Sequence, residues 1–169
     1  MILVSACLAG CSCRYDGRSS PSPELLDFLA GREWIAVCPE QLGGLPTPRP
    51  AARIQGGNGT DVIEGRARVV DARGTDVTES FMAGARVVLD LARRLKIETC
   101  YLKDRSPSCA AGEFRNREGR LEGPGVCAAL LMRNGFKVVE VAARGADGTM
   151  PGGSTPKPRT NPGFQGQVA

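Results

Sequence analysis

The feature that most constrains the fold is an alternation of short apolar segments with segments of helical periodicity. Segments of strand length occupy residues 2–6, 34–37, 98–103 and 136–141, and the first two are short, mostly apolar runs. Segments with helical spacing of apolar residues lie between them, at 22–29, 77–96 and 126–134. Short continuous apolar strands are typical of parallel sheets, and strand–helix alternation favours right-handed crossovers. We therefore predict a single α/β domain with a mostly parallel, Rossmann-like open sheet flanked by helices.

The other segments indicate less regular structure. Residues 41–60 are rich in Gly and Pro and are interpreted as a loop. Residues 61–64 and 67–71 are expected to form a small β-hairpin over a turn at Gly65. Residues 144–169 are mostly Gly, Pro, Thr, Lys and Arg, with few apolar side chains. We therefore predict a disordered tail that follows an α/β domain of residues 1–143.

Composition narrows the function classes. The chain contains no His, which removes imidazole acid–base catalysis, Ser-His and Cys-His nucleophiles, and imidazole metal ligands. A net charge of +4 and 5% aromatic residues are atypical of nucleic-acid-binding proteins, so we do not expect nucleic acid as a partner. No apolar stretch reaches the ~18 residues of a membrane span, and the start of the chain lacks a secretory-signal pattern. These features predict a cytoplasmic protein with no membrane partner.

Seven cysteines point to metal or thiol chemistry, because an odd number in a reducing compartment argues against a disulfide framework. Cys7, Cys38 and Cys109 each follow a predicted strand. Ligands of open α/β sheets bind outside the carboxyl ends of the strands, so we expect these three thiols to converge. Their spacing differs from the paired C-x-x-C knuckles of a zinc ribbon. Cys100 and Cys127 are interpreted as buried apolar residues.

Two further cysteines, Cys11 and Cys13, lie in the loop after the first predicted strand. Each is interpreted as a fourth ligand, a nearby thiol, or an ordinary loop residue. Thiol redox catalysis by this pair is a weaker hypothesis, because the pair lacks a C-x-x-C motif at a helix start. Two further hypotheses are a structural zinc site and a non-catalytic iron–sulfur protein that acts as a sensor or sulfur carrier.

Five motifs occur in order along the chain: Val-Ser-Ala-Cys-Leu-Ala-Gly at 4–10, Cys-Arg-Tyr-Asp-Gly at 13–17, Cys-Pro-Glu-Gln-Leu-Gly-Gly-Leu-Pro-Thr-Pro-Arg at 38–49, Gly-Thr-Asp-Val-Thr with Phe81 at 74–81, and Lys-Asp-Arg-Ser-Pro-Ser-Cys at 103–109. Together they resemble the thiouracil desulfidase family, a bacterial family known first as a domain of unknown function. The resemblance covers residues 2–141. One departure is Ala110, where the family usually has Gly, and the extra methyl group would narrow the pocket or alter the turn.

The resemblance implies a 4Fe–4S cluster with three cysteine ligands and one open iron. By motif, the ligands are Cys7 of Ser-Ala-Cys-Leu, Cys38 of Cys-Pro-Glu and Cys109 of Ser-Pro-Ser-Cys. Glu40 and Ser106 match the positions expected to act on the substrate. The implied activity is non-redox desulfuration of a thiolated pyrimidine, a thiouracil-type base or nucleoside, to the oxo form with release of sulfide.

Such a site is also chemically coherent. Thiolates are natural ligands of iron–sulfur clusters, and an open iron is a Lewis acid that would polarise a thiocarbonyl sulfur. Addition of water to the thiocarbonyl carbon needs a proton acceptor, and Glu40, close to Cys38, is the candidate general base. Ser106 is expected to hydrogen-bond the ring or the water, although Glu40 and Ser106 also suit ordinary surface and turn roles. Four charged residues are expected to offset cluster charge, brace loops or face solvent: Arg14, Asp16, Arg49 and Lys103.

Overall fold

The structure is a computed structural model that describes residues 1–112 and 123–142. A 3-10 helix, Ala6–Ala9, follows the first strand. In chain order, the strands and α-helices of the described residues are β1 (Ile2–Ser5), α1 (Pro23–Leu29), β2 (Trp34–Val37), α2 (Pro39–Leu42), β3 (Ala52–Gln55), α3 (Gly59–Ile63), β4 (Arg68–Asp71), α4 (Thr78–Arg94), β5 (Thr99–Lys103), α5 (Val126–Arg133) and β6 (Lys137–Val141).

The central sheet consists of four parallel strands in the order β2, β1, β5, β6. β1 lies inside the sheet, with Ile2 opposite Trp34 of β2 and Thr99 of β5. Leu3 and Val4 are consecutive residues of β1 and are both fully buried. Because consecutive side chains of a strand point to opposite faces, both faces of this sheet are covered. The predicted α/β class with a mostly parallel sheet is confirmed, and the comparison with a Rossmann fold stays a prediction.

Helices cover the two faces of the sheet. α4 and α5 pack against each other on one face, where Phe81 and Val88 of α4 lie in the larger apolar core. α1 covers the other face, where Leu25 and Leu29 pack with Val4 of β1. Since all four strands run in the same direction, the loops that follow β1, β2 and β5 meet at one edge of the sheet. This edge is where the sequence places its candidate ligands.

The segment between residues 41 and 64 differs from its prediction. The composition of residues 41–60 predicts a loop, but they contain the end of α2, strand β3 and the start of α3. The small antiparallel pair consists of β3 and β4. The prediction of a hairpin strand at 61–64 is therefore wrong, because α3 covers most of these residues. A capping box makes this segment helical: the Asn58 side chain accepts hydrogen bonds from the Thr60 and Asp61 amides, and the Asp61 carboxylate accepts one from the Asn58 amide.

The predicted domain of residues 1–143 includes all the described residues, but its end at residue 143 lies outside them. The predicted tail of residues 144–169 lies outside the described residues, and the boundary between domain and tail stays a prediction. Within residues 1–112 and 123–142, no helix is long and apolar enough to cross a membrane.

Candidate metal centre

Three predicted ligands come from three different strand-end loops. Cys7 lies in the 3-10 helix that directly follows β1, and its carbonyl accepts a hydrogen bond from the Ser20 amide at 2.9 Å. Cys38 is the residue between β2 and α2. Cys109 is buried in the loop after β5. The negative charges of Cys7 and Cys38 act to raise the pKa of Cys109, because the three sulfur atoms lie near one another. The expected convergence of these three thiols is therefore present.

A fourth thiol, Cys13, lies in the same group. Its side chain is 4% exposed, and it contacts the sulfur atoms of both Cys7 and Cys38. Its carbonyl oxygen lies 3.7 Å from the Cys38 sulfur. Cys11, in the same loop, is exposed. The sequence leaves these two loop cysteines undecided, because spacing does not show which loop side chain turns towards a residue 25 positions away.

Contacts within the group shift the acidity of its thiols in opposite directions. The hydrogen bond from Cys13 to Cys38 lowers the pKa of Cys38 to about 6. The hydrogen bond from Cys13 to Cys7 is the main cause of the lowered pKa of Cys7. The same two contacts raise the pKa of Cys13, because they stabilise its protonated form. Burial raises the pKa of Cys109 to about 12, although a hydrogen bond with Ser5 opposes this effect. The arrangement therefore favours the thiolate forms of Cys7 and Cys38, which are the forms that bind metals.

Ser106 fixes the loop that carries Cys109. Its hydroxyl oxygen accepts hydrogen bonds from the amides of Ser108 at 3.2 Å and Cys109 at 3.1 Å. Gly125 packs closely against this loop, since a Cβ atom there would stand 2.6 Å from the Ser108 carbonyl carbon. The turn role considered for Ser106 is thus present in the structure. Both contacts use the Ser106 oxygen as acceptor, so they leave its hydroxyl proton for another partner.

Glu40 lies beside the thiol group and is held there by Arg49. The Arg49 Nε donates a hydrogen bond to Glu40 Oε2 at 2.7 Å, and the two side chains are 4% and 16% exposed. The Arg49 Nη1 also donates to the Cys13 carbonyl at 3.1 Å. The negative charge of Glu40 acts to raise the pKa of both Cys38 and Cys109, which places the carboxylate near their sulfur atoms. Arg49 is therefore a buried brace of the site rather than a solvated residue.

Close backbone packing fixes the helix that carries Glu40. α2 packs against α4. A Cβ atom at Gly84 would stand 1.8 Å from the Pro39 carbonyl oxygen, and one at Gly43 would stand 1.9 Å from the Ser80 carbonyl oxygen. Side chains at these glycines would therefore force the two helices apart. Sequence reasoning missed this role of Gly84, because nothing in the periodicity of α4 shows which helix packs against it.

The other predicted charged residues have local partners. Arg14 pairs with Asp16 at 3.2 Å, and Lys103 pairs with Asp104. The positive charges of Lys103 and Arg14 help to lower the pKa of Cys7, so both cations lie near the thiol group. They are suited to offset negative charge on a bound group.

The chemistry of the donor set fits an iron–sulfur cluster, because thiolates are the natural ligands of such clusters. Among the described residues, no three His, Cys, Asp or Glu side chains form a group that could hold one metal ion. In a 4Fe–4S cluster each cysteine binds a different iron, so its ligands surround the cluster instead of meeting at one point. Next to Cys109 in the chain, the buried Ser108 hydroxyl has no hydrogen-bond partner among the described residues. Cys100 and Cys127 are fully buried in the apolar core, as predicted.

A family model for 2-thiouracil desulfurase matches residues 2–142. The chain belongs to this family. It is 42% identical over 142 residues to the uncharacterized protein YbbK of Bacillus subtilis (strain 168), a match that covers 82% of this chain and 94% of YbbK. Its fold is similar to the solved structure of the 4Fe–4S-dependent thiouracil desulfidase TudS, with a TM-score of 0.70 and 43% identity. That match covers 82% of this chain and 89% of TudS.

The family is the one that the sequence motifs indicated, so the resemblance to thiouracil desulfidases is confirmed. The roles assigned to Cys7, Cys38, Cys109, Glu40 and Ser106 stay predictions. The structure brings the three cysteines and Glu40 together, and it places Ser106 in the loop that holds Cys109.

Proposed function

We propose that this protein is an iron–sulfur-dependent thiouracil desulfidase, which removes the sulfur of a thiolated pyrimidine and releases it as sulfide. The match to the 2-thiouracil desulfurase family and the 43% identity with TudS support the proposal. The observation that carries it is the meeting of Cys7, Cys38 and Cys109, from three strand-end loops, beside a braced carboxylate.

Cys7, Cys38 and Cys109 would hold a 4Fe–4S cluster. When bound, such a cluster supplies a Lewis-acidic iron with affinity for a thiocarbonyl sulfur. The nearby cations Arg14 and Lys103 would offset the negative charge of the thiolates. The odd number of cysteines argues against a disulfide framework, so we place the protein in the reducing cytoplasm.

Glu40 would accept the proton of the water molecule that adds to the thiocarbonyl carbon. The chain has no His for this task, and the ion pair with Arg49 holds the Glu40 carboxylate in one orientation. This proton and the one that remains on the added hydroxyl group both pass to the departing sulfur, which leaves as hydrogen sulfide. The C=S bond is replaced by C=O with the oxygen of water, so no electron transfer is needed and the reaction is a hydrolysis.

Ser106 would donate its hydroxyl proton to the pyrimidine ring or to the attacking water, because its oxygen already accepts from two amides. We place the ring of a thiouracil-type base or nucleoside beside Glu40, whose carboxylate lies near the sulfur atoms of Cys38 and Cys109. The ion pair with Arg49 fixes the Glu40 carboxylate, and the fixed carboxylate would limit the orientation of the ring.

The test is turnover of 2-thiouracil by protein reconstituted anaerobically with iron and sulfide. We expect uracil and sulfide to appear in equal amounts without a reductant, and the protein that has not been reconstituted to serve as the inactive control. Turnover that requires a reductant would reject the hydrolytic mechanism. Absence of turnover with every thiolated pyrimidine tried would reject the proposed activity.

A further inference from the structure

We infer that Cys13 is a displaceable fourth ligand: it binds the iron that Cys7, Cys38 and Cys109 leave open, and it gives up this position to the substrate sulfur. This inference rests on the proposed function, since it concerns the regulation of the same site.

The position of Cys13 is the first observation. Its side chain is 4% exposed and contacts the sulfur atoms of Cys7 and Cys38, whereas its loop neighbours Cys11 and Ser12 are exposed. A thiol that touches two ligand sulfurs lies within reach of the group that these ligands bind. Four cysteine thiolates are also the usual ligand set of a 4Fe–4S cluster.

The attachment of Cys13 differs from that of the other three thiols. Cys7 lies in the 3-10 helix after β1, Cys38 directly follows β2, and the Cys109 amide is held by Ser106. Cys13 lies in irregular backbone between the 3-10 helix and α1.

The backbone of Cys13 is nevertheless held in place. Its carbonyl oxygen accepts a hydrogen bond from Arg49 Nη1 at 3.1 Å. The Cys13 side chain can therefore rotate about its Cα–Cβ bond towards or away from the open iron while this backbone contact is kept. Because Arg49 also binds Glu40, the proposed ligand and the proposed base share one anchor.

The exchange balances without an oxidant or reductant. The bond between iron and the Cys13 sulfur breaks, and a bond between iron and the substrate sulfur forms. A thiouracil that binds as its thiolate form loses one ring N–H proton, and Cys13 takes up one proton. The released thiol then donates to the sulfur of Cys7 or Cys38, which is the contact present in the structure.

The test compares the wild type with Cys13→Ala and Cys13→Ser, with Cys11→Ala as the matched control from the same loop. Each protein is reconstituted anaerobically, its iron is counted, and ferricyanide is added while the 3Fe–4S signal is followed by electron paramagnetic resonance. An iron without a protein ligand is lost first under these conditions. We expect rapid conversion in both Cys13 variants and slow conversion in the wild type and in Cys11→Ala.

A second readout is the binding of 2-mercaptoethanol to the cluster, followed by the visible spectrum. If Cys13 occupies the open iron about nine-tenths of the time, Cys13→Ala lowers the apparent Kd about tenfold. Equal conversion rates and an unchanged Kd would show that Cys13 only hydrogen-bonds the ligands. If both Cys13 variants fold but lose the cluster, Cys13 is a permanent ligand, and the inference that the substrate sulfur displaces it is wrong. A wild type that holds no iron–sulfur cluster would instead reject the proposed function itself.

Discussion

Arg49→Met removes a guanidinium that binds several parts of the site at once. In the wild type this side chain donates to Glu40 Oε2 at 2.7 Å, to the Cys13 carbonyl at 3.1 Å, and to the loop residues Pro46 and Thr47. Met fills a similar volume but leaves the Glu40 carboxylate, which is 16% exposed, without its cation. Removing one partner of a buried ion pair costs about 3–5 kcal/mol, and the partial exposure of Glu40 favours the lower end, about 3 kcal/mol.

The assay is urea and thermal unfolding of the metal-free protein by circular dichroism. A loss of about 3 kcal/mol lowers Tm by about 6–12 °C for a chain of this length. In the double variant with Glu40→Gln, part of this loss should be recovered, with a coupling energy of about 1–3 kcal/mol. A loss below about 1 kcal/mol, as for an exposed ion pair, would refute the view that Arg49 is a buried brace.

Three further predictions each depend on a small set of contacts. Glu40→Gln should keep the visible spectrum of the cluster and lower kcat by about 10²–10⁴; unchanged turnover would assign the proton transfer to another group. Gly84→Ala places a Cβ atom 1.8 Å from the Pro39 carbonyl oxygen, so it should displace α2 and lower Tm, and an unchanged Tm would contradict the described packing. Hydrogen bonds from the Asn58 amide and Arg66 lower the pKa of Asp61 below its ordinary 3.8. Asp61→Ala should therefore cost about 1 kcal/mol in urea unfolding at neutral pH. This difference should disappear as the pH falls from 3.8 through the lowered pKa of Asp61 in the folded protein, because protonation of the wild-type carboxylate removes its contribution to stability. A difference that is constant with pH would contradict the capping role.

The sequence predicted the elements that combine strong periodicity with clear ends. The strands β1 and β2 are short, mostly apolar runs, and the helix at 22–29 has Ser22 before Pro23, whose positions match a helix start. With the strands in place, parallel topology alone brings Cys7, Cys38 and Cys109 to one edge. This is why the convergence of three thiols from distant motifs could be predicted without a local spacing pattern, whereas their role as ligands stays a prediction from the family resemblance.

The features that sequence reasoning missed depend mostly on contacts between distant segments. The helix α3 did have a local signal, because Asn58 and Asp61 have the spacing of a capping box, but the neighbouring Gly residues favour a loop and hairpin by composition. The inward position of Cys13 and the buried contact of Arg49 with Glu40 have no periodic signal. They arise from the way the loops after β1 and β2 meet.

The central claim is that Cys38 and Cys109, with Cys7, hold a 4Fe–4S cluster. It is tested most directly by iron and acid-labile sulfide analysis of two anaerobically reconstituted double variants that each lose two cysteines. Cys100→Ala/Cys127→Ala, which changes only fully buried core thiols, should retain about four irons and four sulfides per chain, like the wild type. Cys38→Ala/Cys109→Ala should retain its circular dichroism spectrum but bind no cluster. Equal iron in the two variants, or a colourless wild type with one zinc ion, would contradict the account.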